Sequence, residues 1–133
     1  MKYLLDTDTC IYALKQNAAV LERMLSRSRA DVAVSVITEA ELRTGAAKSS
    51  SPVKTMRLVE NFLRPLTIVE FTSDDAASYA NVRAKLERAG TPIDPFDTLI
   101  AAQAIGRKLI LVSTNEGEFG RVSGLRLENW AQT

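Results

Sequence analysis

Residues 3–9 read YLLDTDT, an apolar run followed at once by two aspartates, Asp6 and Asp8, one on each side of Thr7. A buried strand that ends in carboxylates either caps the helix behind it or contributes to an acidic pocket. Similar short β-branched or aliphatic runs recur further on: DVAVS at 31–35, LTIVEF at 66–71, KLILVS at 108–113 and LRLEN at 125–129, with helical stretches between them. This alternation predicts an α/β fold with a central, mostly parallel sheet of four to five strands flanked by helices. The length of 133 residues fits one domain spanning 1–133.

Two helices announce their own ends. SPVKTMRLVENFLRP places Ser51 as N-cap and Pro52 at the first helical position, and stops before Pro65. SDDAASYANVRAKLERAG starts at Ser73 with acids in its first turn and stops at Gly90 with Lys85 and Arg88 near its end. KSSSP at 48–52 reads as a surface loop between helices, too short to separate domains.

Composition removes whole classes of chemistry. The chain has no histidine and a single cysteine, Cys10, so Ser-His-Asp and Cys-His catalysis, histidine-ligated metals, internal disulfides and paired-thiolate zinc sites all fall away. Lysines and arginines (17) nearly balance aspartates and glutamates (16), so any phosphate-bearing partner must be held locally rather than by a global positive field. No apolar run approaches membrane-spanning length, and aspartate follows the first lysine too soon for a signal-peptide core, which predicts a cytoplasmic protein. Carboxylates are left to carry the chemistry.

In open parallel sheets the site lies beyond the carboxyl ends of the strands. There the sequence places Asp6 and Asp8 after the first strand, Ser35 after the second, and Ser113 and Asn115 after LILV. Glu39 and Glu41 follow Ser35 in a helix but lie two residues apart, hence on nearly opposite sides, so only one can face the site. Asp94, Pro95 and Asp97 in DPFD look like a capped helix start. Phe96, Leu99 and Ile100 are expected on its apolar face, with Asp97 beside small Ala101 and Ala104, where a ligand would have room. Carboxylates gathered at one edge raise one another's pKa, and a hard cation such as Mg²⁺ or Mn²⁺ resolves that conflict with oxygen ligands alone. Phosphoester hydrolysis is the reaction class that follows.

In their order and spacing, YLLDTDTCIYALK, SVITEAELRTGAAKS, GTPIDPFDTLIAAQA and LILVSTNEGEFGRVSGLRLENW resemble the PIN-domain ribonucleases, in particular VapC-type toxins of bacterial toxin–antitoxin pairs, from about Lys2 to Trp130. The resemblance implies a PIN-like three-layer sandwich. It places the family's metal-binding and catalytic acids at Asp6, Glu41 and Asp97, with Thr38, Leu42 and Gly45 matching around Glu41, and so chooses Glu41 over Glu39. Many relatives have a further acid after the fourth strand. Here STNEGEF offers Ser113, Asn115 and Glu118 instead, and these join Asp8 as supporting candidates; Asp8 and Asp94 are expected to act as caps. A Mg²⁺- or Mn²⁺-dependent endoribonuclease is implied, usually a homodimer. Its substrate would be RNA, a tRNA and in the enteric type the anticodon region of initiator tRNA, cut to leave a 5′-phosphate and a 3′-hydroxyl. A VapB-type antitoxin would neutralise it. Arg43, Lys48, Arg107, Lys108 and Arg121 are candidates to contact RNA, and AVLERML and MRLVENFL are candidate docking faces.

Two rivals share part of this pattern. A phosphatase of the haloacid-dehalogenase type also has a strand followed by Asp-x-Asp, with Asp6 then a covalent nucleophile. Its late strand-closing acids are missing, since Asp74 and Asp75 open a helix. A receiver-like signalling module needs an aspartate closing the third strand and a lysine closing the last, and neither TIVEFTS nor LILVSTN provides them.

Overall fold

A computed structural model describes residues 1–132. The chain runs β1 (Tyr3–Leu5), α1 (Thr7–Leu14), α2 (Ala18–Leu25), a 3₁₀ turn (Arg29–Asp31), β2 (Val32–Ser35), α3 (Val36–Ala47), α4 (Pro52–Leu63), β3 (Thr67–Val69), α5 (Ser73–Arg88), α6 (Pro95–Gly106), β4 (Ile110–Val112), α7 (Glu116–Phe119) and β5 (Leu127–Glu128). All five expected strands are present. They form one sheet in the order β3-β2-β1-β4-β5, and every neighbouring pair is parallel.

The strands are short apolar runs because helices cover both faces of the sheet. Alternate residues divide between two cores. Tyr3, Leu5, Val32, Val34, Ile110 and Val112 pack with α1, α2, α3, α4 and Trp130 on one side. Leu4, Ala33 and Leu111 pack with α5, α6 and Phe119 on the other. These are the three layers of the expected sandwich. Cys10 is fully buried in the first core, and burial pushes its thiol well above the usual range, in keeping with a packing role.

The strand order places the site. From central β1 the chain first builds outward through β2 and β3, then crosses back to lay β4 and β5 on the other flank. The direction changes between β1 and β4, and the crevice beyond the carboxyl ends of those two strands is the topological switch point. Asp6 follows β1 there, and Ser113 follows β4.

Local rules explain the helix ends, with one change. Thr72, rather than Ser73, caps α5: its backbone N–H donates to the Asp75 carboxylate at 2.8 Å in a capping box. At the other end Gly90 adopts φ 72°, the left-handed conformation that closes a helix, while the Thr91 N–H donates to the Leu86 carbonyl. Ser51 precedes Pro52 as expected but makes no side-chain capping bond.

Candidate functional site

Asp6 is both the N-cap of α1 and the acid at the switch point. Its Oδ1 accepts from the Thr9 N–H at 2.8 Å, while the Thr9 hydroxyl donates to the Val112 carbonyl and so ties the start of α1 to the end of β4. Only 2 % of Asp6 is exposed. Burial pushes its carboxyl from 3.8 up to about 6, against hydrogen bonds from Ser113 and Thr9 that pull it down. Asp8 is exposed in the first turn of α1 and caps nothing. The expected division of labour, with the cap at Asp8 and the site at Asp6, therefore fails: a single carboxylate has oxygens enough to cap the helix and still face the crevice.

Asp97 enters the same crevice from α6. The Asp94 carboxylate caps that helix as expected, accepting from the N–H groups of Phe96 and Asp97 at 2.9 and 3.2 Å, and Pro95 supplies the pre-set first turn. Burial, a hydrogen bond shared with Glu118, and the charges of Asp94, Glu118 and Asp6 push the Asp97 carboxyl up to about 8. Ala101 and Ala104, expected to leave room for a ligand, are fully buried in the core with Leu4, Leu111 and Val82. They are small because α6 packs closely. Phe96, expected in the core, is instead 52 % exposed.

The segment after β4 completes this group. Ser113 is buried, hydrogen-bonds Asp6, and accepts from the Asn115 N–H at 2.9 Å. Asn115 caps α7 through its Oδ1, and its Nδ2 donates to the Glu118 carboxylate at 2.8 Å. Asn115 is thus spent on orienting Glu118, which makes Glu118 the acid that shares the crevice with Asp97.

The two glutamates of α3 separate as the helical period demands. Glu39 turns to Arg43, in a 2.8 Å ion pair. Glu41 turns toward α1, where it accepts from the Thr7 hydroxyl at 2.6 Å, and Thr7 also donates to Thr38 at 3.2 Å. Thr7 carried no role in the sequence reading. Thr38, three residues before Glu41, was its only trace.

Asp97 thus feels the charges of Glu118, Asp94 and Asp6, while Glu41 is held by Thr7, next to Asp6 in the chain, and Asp8 is exposed. Among the described residues no three acids stand close enough together to hold a metal ion by themselves. The donors are nonetheless all hard oxygens, and burial raises both Asp6 and Asp97, the latter with help from neighbouring carboxylates. An open site of this kind fits a cation that keeps its own waters and binds through a few carboxylates plus a substrate phosphate. The basic candidates fare less well. Arg107 is taken by Asp75 at 2.8 Å, Arg43 by Glu39 and Glu60, and Lys108 precedes β4 at the sheet edge away from Asp6. Arg121 donates to the Pro92 carbonyl, close in sequence to Asp94 and Asp97.

The chain matches the PIN domain over residues 3–125. Ribonuclease VapC2 of Haemophilus influenzae is 41% identical over 98% of both chains. The tRNA(fMet)-specific endonuclease VapC of Salmonella typhimurium is 35% identical, again over 98% of each. In structure, VapBC2 of Rickettsia felis bound to a promoter DNA fragment aligns at a TM-score of 0.92 and 34% identity, covering 98% of this chain and 99% of that one. The chain therefore belongs to the PIN-domain family, in its VapC ribonuclease branch. Among the described residues no helix is long and apolar enough to cross a membrane.

Proposed function

We propose that the chain is a divalent-metal-dependent endoribonuclease, the toxin of a toxin–antitoxin pair. Asp6, Asp97 and Glu118, with Glu41 beside them, would hold Mg²⁺ or Mn²⁺. The observation that carries this reading is the gathering of acids at the switch point, where burial lifts Asp6 and where burial together with Glu118, Asp94 and Asp6 lifts Asp97 far above ordinary carboxyls. When bound, the ion supplies charge neutralisation and an activated water for phosphodiester hydrolysis. The protein's own part is positional: Thr9 and Ser113 fix Asp6, the Asp94 cap fixes Asp97, Asn115 orients Glu118, and Thr7 holds Glu41. Asp8 raises Asp6 slightly through its charge and takes no other part.

The substrate we propose is tRNA, with initiator tRNA first, because relatives at 35% identity over nearly the whole chain carry that specificity in their names. A VapB-type antitoxin is the proposed inhibitor, supported by the VapBC complexes among the structural neighbours. Leu25 of α2 and Val53 and Leu58 of α4 are exposed apolar residues on which self-association or antitoxin docking can rest. The test is cleavage of total tRNA with Mg²⁺, with EDTA, and with Asp97→Asn, followed by mapping of the new ends. Activity that survives both EDTA and the substitution would sink the metal reading, and cuts scattered over all tRNAs would sink the initiator assignment.

A further inference from the structure

We infer that Phe96 is a stacking platform for an RNA base, seating the nucleotide beside the scissile phosphate over the groove between α3 and α6. The inference rests on the ribonuclease reading above. Phe96 is the one large apolar side chain of α6 left more than half exposed, at 52 %, on a helix whose next two turns are almost wholly buried. It is not a loose surface ring. Pro95 presets the turn, and the Asp94 carboxylate accepts from the N–H of Phe96 and from that of Asp97, so ring and acid are fixed on one capped turn.

Beside the ring lies an open groove of about 270 Å³ lined by Phe96, Ala40, Glu41 and Thr44. Glu41, which accepts from the hydroxyl of Thr7 next to Asp6 in the chain, thus lines this groove. The lining is an aromatic face, a methyl, a hydroxyl and a carboxylate, which suits a flat heteroaromatic with a polar edge better than an aliphatic side chain. A formal net charge of only +1 leaves little affinity to come from counterion release. Stacking is the sequence-tolerant alternative, and it needs an exposed, rigid aromatic at the site.

The experiment compares kcat and KM on a tRNA that the wild type cuts for Phe96→Ala, Phe96→Leu, Phe96→Tyr and Phe96→Trp. Alanine and leucine should each lower kcat/KM by about 5- to 150-fold, mostly through KM, while tyrosine and tryptophan stay within about threefold of the wild type. A substrate abasic next to the cut should erase the difference between phenylalanine and alanine. Unchanged melting temperatures would exclude misfolding. Full rescue by leucine would show a generic apolar contact and overturn the proposal. So would variants that cut normally yet lose inhibition by the antitoxin, since the ring would then belong to that interface. If the wild type cuts no RNA, the ribonuclease reading itself fails and this inference falls with it; if it cuts and Phe96→Ala matches it, only the stacking fails.

Discussion

Replacing Asp6 by asparagine should make the metal-free protein more stable. The buried carboxyl titrates at about 6 instead of 3.8, and at about 1.36 kcal/mol per pH unit its ionisation costs the fold roughly 3 kcal/mol. The sign follows from the direction of the shift. A folded-state value above the unfolded one means that the stabilising contribution is complete below the ordinary carboxyl range and disappears as pH rises through about 6. Asparagine carries no charge and caps helices as well as aspartate does, so the bond from the Thr9 N–H survives. Its new N–H₂ would face Ser113, whose hydroxyl has a second lone pair but already accepts from Asn115. Allowing for that imperfect pairing, a gain of about 2 kcal/mol is expected in EDTA at pH 8, seen as a rise in melting temperature of roughly 8 °C, and almost none at pH 4. Urea unfolding at several pH values, with EDTA or with Mg²⁺, measures both limbs. The wild type should be stabilised by the cation at pH 8 and the variant should not. A variant no more stable than wild type at pH 8, or equally stabilised by Mg²⁺, would refute the assignment of Asp6 as an acid held against its own burial to receive a cation.

Three further outcomes follow from the same geometry. Cation uptake should strengthen as pH rises from 6 to 8 and should release protons from Asp97 and Asp6, measurable by calorimetry in buffers of different ionisation enthalpy. Thr7→Val removes a 2.6 Å hydrogen bond to a carboxylate and should lower kcat/KM about tenfold, whereas Thr7→Ser should retain activity; equal losses in both would remove Thr7 from the site. Arg107→Ala leaves Asp75 buried without its cation and should cost about 3 kcal/mol in urea unfolding, with tRNA cleavage unchanged at a temperature where the variant is folded. Burial pushes Asp75 up, but the Arg107 guanidinium and the Thr72 N–H outweigh it and hold the carboxyl below the usual range. That stabilisation is therefore present above pH 4 and lost in acid, so the Arg107→Ala deficit should shrink as pH falls below 4.

The central strands β1, β2 and β4 were legible because each is a short run of buried, mainly apolar residues, and the sheet order then put Asp6 and Ser113 at one edge. The period of α3 narrowed Glu39 and Glu41 to one without naming it. The choice came from the resemblance, and its physical reason is a contact to Thr7 across 34 residues of sequence. Periodicity assigns a face within an element but not what another element brings to it. For that reason Ala101 and Ala104 looked like room and proved to be close packing, and Phe96 looked like core and proved to be surface. Arg107, a candidate RNA contact by charge alone, proves to be paired with Asp75, and such a partner cannot be seen in a count of charges.

The cap and the candidate ligand were set against each other for Asp6, yet the fold makes them one residue, and there is a mechanical reason for it. The N–H groups of the first turn of α1 are already aimed at the carboxyl end of β1, so a carboxylate placed there is gripped by the backbone and by Ser113 before any substrate arrives. Asp97 repeats the device one step removed, with the Asp94 cap holding the turn from which it projects. A site built this way needs no histidine and no loop to rearrange. Its cost is the concentration of negative charge in a buried crevice, and the elevated Asp6 and Asp97 are where that cost appears. On the proposed reading, stability and function are opposed at these two residues, so the substitutions expected to remove activity are also expected to strengthen the empty fold.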